Sequence, residues 1–160
     1  MELTDKQKKI YEGLICPYCG NETELVEAGS VYGSGWKGKI RLCRPCNAWV
    51  GCHKREPLAG VALGSVAKFN LRWDRHAVHC ILDRMWITKD ERKKLYTDLS
   101  EYLGIPLEYT HIGMFREKTL VRVLDFCLER KEGFGIRLQK VNAKEIPESL
   151  GKWLYCDNRE

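Results

Sequence analysis

The spacing of apolar positions changes along this chain, and each change marks a different kind of structure. Ahead of the first extended run, Thr4 can cap a short helix to about Glu12, with Gly13 as its stop. From Thr23 to Tyr32 an imperfectly alternating pattern, led by Leu25 and Val31, predicts a strand. Lys39 to Leu42 and Ala48 to Cys52 are two shorter strand-like runs. Gly33-Ser34-Gly35-Trp36-Lys37-Gly38 joins the first strand to the second as a flexible connection with one aromatic. The first fifty residues therefore predict a small antiparallel β unit.

After Pro57 the period lengthens. Leu58 to Gly64 is apolar and punctuated by glycine, which fits a connector. Ser65 is placed to cap a long helix running to about Trp86. Val66, Phe69, Trp73, Ala77, Cys80 and Ile81 recur there at three- and four-residue steps, predicting one inward stripe. Arg72, Arg75, His79 and Asp83 then fall on its polar side. Thr88 to Glu91 is a capping box for a second helix, which Gly104 and Pro106 end. Leu95, Leu99 and Leu103 supply its apolar face, with Tyr96 and Tyr102 alongside. His111 to Phe115 reads as a turn, and a third helix follows to about Arg130 with Leu120, Val123, Leu124 and Cys127 inward. Beyond Gly133 the pattern is weak, with one strand at Ile136 to Val141 and a loose tail.

The expected fold class is α+β. A ribbon-like antiparallel unit occupies 1–56, a small helical bundle packed on it occupies 57–132, and an extension occupies 133–160. Composition agrees: 44% hydrophobic and 31% charged residues over 160 positions is ordinary globular usage. No apolar run approaches the roughly 18 residues of a membrane span. Met1 to Tyr11 is charged and has no apolar segment of the signal-peptide kind, so a cytoplasmic location is expected.

Cysteine usage adds chemistry to this outline. Of eight cysteines, Cys16, Cys19, Cys43 and Cys46 form two CxxC pairs, while Cys52, Cys80, Cys127 and Cys156 are scattered. A disulfide framework needs an oxidising compartment, to which nothing in the sequence points. Paired spacing favours a metal instead, and tetrahedral Zn²⁺ takes four thiolates. Gly20 and Asn47, each following the second cysteine of a pair, tolerate the left-handed backbone that turns N–H groups toward sulfur. Four thiolates leave no position for water, so the zinc is structural. Cys80 and Cys127 read as small core residues.

The net charge of +5 permits a polyanionic partner without demanding one. From Leu14 to Ser34 there are three acids and no Lys or Arg; from Trp36 to Arg55 there are six bases and no acid. Trp36, Lys37, Lys39, Arg41, Arg44, Lys54 and Arg55, with Arg72 and Arg75 on the long helix, are the candidate nucleic-acid contacts: cations pair phosphates and an aromatic stacks on bases. The tetrathiolate centre, at about −2, offsets part of that field. A second constellation is possible. His79 and Asp83, at i and i+4, could combine with His53 or His111 to hold a phosphate or metal or to transfer a proton. An ordinary solvated helix face is the plainer reading of the same residues.

Taken in order, CPYCG, VYG, CRPCNAWVGCH, LRWDRHAVHCILDRMW and HIGMF resemble a bacterial and phage family described only as a zinc-finger-containing domain of unknown function. The likeness runs from about Ile15 to Phe126 and departs from the family pattern in the Pro57 to Ala67 connector. It implies zinc at the four paired cysteines. It also implies that His53, Arg72, Arg75, His79, Asp83 and His111 belong to the family pattern, without bringing an activity. The leading expectation is a nucleic-acid-binding module. The alternatives are an adaptor or phage-encoded inhibitor that binds a host protein, and a hydrolase or nuclease using His53, His79, Asp83 and His111.

Overall fold

The structure is a computed structural model that describes residues 2–130. The chain forms two compact units, Glu2–Phe69 and the residues from Asn70 onward, and its class is α+β. The expected strand at Ile136 to Val141, the extension 133–160 and Cys156 lie outside the described residues.

The first unit opens with helix α1 (Asp5–Tyr11), held by the capping box between Thr4 and Gln7. Gly13 then turns the chain at φ +72°, and a Cβ there would lie 2.8 Å from the Gly64 carbonyl oxygen. Conformation and space both require glycine at this stop. Strands β1 (Glu24–Glu27), β2 (Lys39–Cys43) and β3 (Ala48–Gly51) form an antiparallel meander in that order. Val26 faces Ile40, which faces Gly51; Leu25 faces Arg41, which faces Val50. Alternation then sorts the side chains. Ile40 and Leu42 pack with Ala28, Val26, Val31 and Trp49 on one face. On the other, Cys43 and Ala48 pack with Cys16 and Val66.

Two expectations fail here for local reasons. The strand expected over Thr23 to Tyr32 ends at Glu27, and Gly29–Tyr32 is a single helical turn, α2. The Ser30 hydroxyl donates to the Glu27 carbonyl at 2.7 Å, and Ala28 accepts from the Val31 and Tyr32 amides. Small residues with a competing hydroxyl favour a turn over continued pairing. The long helix does not start at Ser65. Ala67 and Trp49 exchange both backbone hydrogen bonds, at 3.2 and 3.1 Å, so the chain here is extended beside β3. Val66 is fully buried among the cysteines, and that burial outweighs helix propensity. Residues 57–68, expected with the helical module, thus belong to the first unit, where Leu63 N–H donates to Gly51 and Cys52 bridges Ala62.

Beyond Asn70 the second unit contains helices α3 (Phe69–Asp83, starting at the boundary), α4 (Lys89–Leu103) and α5 (Glu117–Arg130), with 3₁₀ turns at Leu107–Tyr109 and Ile112–Met114. The inward stripe of α3 is rotated from the expected one. Leu71, Val78, Leu82 and Met85 are buried, whereas Phe69 and Trp73 are 62% and 50% exposed. Ala77 and Ile81 hold their expected place; Cys80 is only half-buried. Two apolar rows share this helix, and the aliphatic row is the one that is buried. The rotation carries Arg75 inward, against the expected polar side, where its Nε donates to the Phe115 carbonyl at 2.8 Å.

Helix α4 has the expected box. Thr88 Oγ1 accepts from Glu91 N–H, while Glu91 Oε2 accepts from the Thr88 and Ile87 amides at 2.9 and 2.8 Å. Those bonds hold the Glu91 carboxyl below its ordinary range. Gly104 ends the helix in the left-handed region. Helix α5 turns Leu120, Val123, Phe126 and Cys127 inward, with Leu124 half-buried. Arg122 donates back to the carbonyls of Tyr102 and Leu103, which the end of α4 leaves open. Among the described residues, no helix is long and apolar enough to cross a membrane.

Candidate metal centre

Two turns build the centre. In the first, Cys16 N–H donates to the Asn21 carbonyl at 2.8 Å and Gly20 N–H to the Cys16 carbonyl at 2.9 Å, with Gly20 at φ +77°. In the second, Asn47 N–H donates to Arg44 at 3.1 Å, and Asn47 is the one non-glycine residue with positive φ among those described, at +49°. The left-handed residue after each pair is the geometry expected from the sequence. β2 and β3 carry Cys43 and Cys46 at their connecting turn, and the turn after α1 carries Cys16 and Cys19.

The four sulfurs lie within 4.8 Å of one another, and Cys19 Sγ is 3.5 Å from Cys43 Sγ. With metal–sulfur bonds of about 2.3 Å, the edges of a tetrahedral tetrathiolate are about 3.8 Å, so these side chains fit a zinc-sized ion without rebuilding the fold. Cys16 and Cys43 are buried, Cys46 is half-buried and Cys19 is exposed. The Asn21 backbone N–H helps hold the Cys19 thiol down to about 7. Burial pushes Cys43 up to about 12, and it also raises Cys46. Four neighbouring thiolates are therefore favourable only around a cation. Val66, Ala48, Tyr18 and Val50 pack around the sulfurs. Tyr18 is itself fixed, its hydroxyl accepting from Lys68 N–H and its ring lying under the Lys68 ammonium.

The candidate nucleic-acid residues separate into exposed ones and ones otherwise engaged. Trp36 is 62% exposed and its ring centroid is 5.1 Å from that of Tyr32. Tyr32 in turn meets Trp49 edge-on at 5.9 Å and accepts a hydrogen bond from the Trp49 indole N–H. The aliphatic stem of Lys54 packs over Gly38, where a Cβ would be 3.3 Å from Lys54 Cε, and this sets Lys54 against the backbone between Lys37 and Lys39. Lys37, Lys39, Lys54 and Arg55 are exposed. Arg41 is half-buried and donates to the Thr23 carbonyl at 3.4 Å; Arg44 pairs with Glu24 at 3.0 Å. In the second unit, Arg72 is half-buried and Arg75 is buried.

The histidines also separate. His79 Nδ1 lies 2.8 Å from Asp83 Oδ2, and the Trp86 indole N–H donates to Asp83 Oδ1 at 3.3 Å. The His111 ring is 6.4 Å from the Tyr96 ring. His53, in the first unit, is exposed, and its backbone bonds to Val61 and Gly60. Among the described residues, only the four cysteines form a group of three or more potential ligands close enough to share a metal ion. Sequence reading missed Tyr32 and Trp49 because Tyr32 was assigned to a strand. The stacking of Arg92 on Tyr96, at i and i+4 of α4, was readable from spacing and was also missed.

A short antiparallel sheet whose CxxC turns gather four sulfurs defines a metal module of the zinc-finger class, followed in the chain by a helical unit. The protein belongs to the family of zinc-finger-containing domains, whose family model matches residues 12–130 and so spans nearly all of both described units. No curated protein and no solved structure matches the chain.

Proposed function

We propose that this protein is a nucleic-acid-binding module in which one structural zinc ion, held by Cys16, Cys19, Cys43 and Cys46, stiffens a basic, aromatic-bearing end of a small sheet. The observation that carries the reading is the Lys54 stem lying over Gly38. It adds a cation distant in sequence to the segment that carries Lys37 and Lys39, which follows the exposed Trp36–Tyr32 pair in the chain. Three cations near an aromatic platform suit a phosphate backbone with bases against the rings. Arg44 contributes little, because Glu24 already neutralises it, and the buried Arg75 contributes nothing at this surface. The metal's part is architectural: a full set of thiolates offers no open position for substrate or water.

Binding of the zinc-loaded full chain to single- and double-stranded oligonucleotides, followed by fluorescence anisotropy across a salt series, tests this. Affinity falls linearly on a log–log plot, and Lys54→Ala lowers the slope by about 0.7–0.9, the value of one phosphate contact. Trp36→Ala weakens binding by about 1–3 kcal/mol if one base stacks there. A response independent of salt, and indifferent to both substitutions, overturns the proposal.

A further inference from the structure

The helical unit contains a connected set of side chains with no part in the metal module. Asp83 on α3 is committed twice, to His79 and to the Trp86 indole. Trp86 lies under the guanidinium of Arg92, whose carbon is 5.6 Å from the ring centroid. The same guanidinium stands 4.7 Å over Tyr96, one turn further along α4. Tyr96 is 6.4 Å, ring to ring, from His111, in the turn that precedes α5. Three segments of chain thus converge on one arginine.

We propose that the helical unit carries a binding site for a phosphate group, formed by the guanidinium of Arg92 and the imidazole of His111 on an aromatic shelf of Trp86 and Tyr96, with the His79–Asp83 pair bordering it.

The guanidinium sits over both rings and also hydrogen-bonds the Tyr96 hydroxyl, which orients it. With five N–H donors on a planar fork, Arg92 keeps donors for an anion. Among the described residues no carboxylate lies within ion-pair distance of Arg92. Asp83, the acid nearest in this network, is already occupied by His79 and Trp86. An exposed arginine backed by aromatics, with no acid paired to it among the described residues, can receive an anion. The second donor selects the anion. The Arg92 fork can satisfy both oxygens of a carboxylate, whereas His111 approaches from a different segment and calls for a third oxygen, which tetrahedral phosphate has.

The His111 imidazole supports the same assignment. Burial, and then the Arg92 charge, lower its proton affinity, so it is biased toward the neutral form, with one N–H to donate. A phosphate on Arg92 would remove that repulsion and supply a counter-charge, so binding and protonation of His111 reinforce each other. The other titratable groups near this network are His79 and Asp83 on α3, Tyr96 on α4 and Cys127 on α5. Burial raises Tyr96, and Cys127 rises to about 12, so both are neutral near pH 7.

This site is independent of the sheet surface, and its test separates the two. Residue-resolved NMR of the zinc-loaded full chain follows the His111 ring during titration with inorganic phosphate, a nucleoside monophosphate, and an oligonucleotide with or without a 5′-phosphate. The His111 pKa is expected to rise in at least one arm. Arg92→Gln should weaken that response at least tenfold, and Arg92→Lys should fall between, since a point charge lacks the fork. A response to the small phosphates identifies a free metabolite-like ligand; one confined to the phosphorylated oligonucleotide, and persisting in Trp36→Ala, identifies a strand end. If Arg92→Gln loses helicity, His111→Asn replaces it, with binding read from the Trp86 indole and Tyr96 ring signals. His111 unmoved in every arm, or wild-type binding in a folded Arg92→Gln or His111→Asn variant, overturns the proposal, whereas a purely structural clasp would alter melting alone.

Discussion

The two units stay folded by different means. Among the largest fully buried side chains of the described residues, only Val66 belongs to the first unit; Phe115, Phe126, Leu71, Leu82, Leu95 and Leu99 are among those of the second. The first unit instead centres on sulfur, with Cys16 and Cys43 buried beside Ala48 and Val66. A unit of under seventy residues hides too small a fraction of its surface to rely on apolar burial alone, and a metal supplies the missing cohesion. The difference teaches where to look for function. In the metal module the exposed apolar side chains include Trp36, Tyr32 and Leu25, which the sulfur-centred core leaves at the surface.

The largest effect expected from this contrast is metal removal. Structural zinc contributes about 10–16 kcal/mol in isolated finger peptides, so chelation or Cys16→Ser should unfold the sheet while α3, α4 and α5 persist. Backbone NMR of the full chain reads both at once: the signals of β1 to β3 lose dispersion and those of the helices stay. Helices that melt together with the sheet would break the comparison, and they would make the metal the keystone of the whole protein. Zinc content by elemental analysis should be one ion per chain, and none after Cys16→Ser.

The reverse experiment is smaller. Leu99 is fully buried in α4, and Leu99→Ala should cost about 2–5 kcal/mol through lost transfer energy and the cavity left behind. Zinc content and binding at the proposed Trp36–Lys54 surface should be unchanged. A lower denaturation midpoint for the helical signals, with the sheet signals unchanged, sharpens the division into two cohesive devices. Loss of zinc in this variant would erase it.

How much of this the sequence disclosed follows the same division. The clustering of the four cysteines was legible, because a ligand set is written in residue type and spacing, and even the left-handed Gly20 and Asn47 could be anticipated. The boundaries of α4 were legible for a similar reason: Thr88, Glu91 and Gly104 act locally. Tertiary choices were not. Val66 fits either a helix stripe or a sulfur-lined core, and only the packing of Cys16 and Cys43 decides between them. Arg75 reads as a surface cation until the Phe115 carbonyl is found against it. The Arg92 network depends on Trp86 and His111 arriving from outside α4, which no periodicity records.

The capping box of α4 carries the comparison to its smallest scale, since it stabilises the helical unit without metal or core. Thr88→Ala should cost about 1 kcal/mol, within the range for lost N-caps, because the Glu91 amide then has no side-chain acceptor. Glu91→Gln keeps the hydrogen-bonding shape and removes only the charge. The Glu91 carboxyl is lowered in the folded state, chiefly by the Thr88 and Ile87 amides. Its charge therefore contributes stability above the ordinary carboxylate range, and that contribution fades as pH falls through the folded value. Thermal melts of wild type and Glu91→Gln should differ slightly at pH 7, with the wild type higher, and converge in acid. The helix N-terminus favours a negative charge, so the sign is fixed even though the effect is small. A difference that grows on acidification would mean that Glu91 stabilises the fold as the neutral acid, and that the box is held by shape alone.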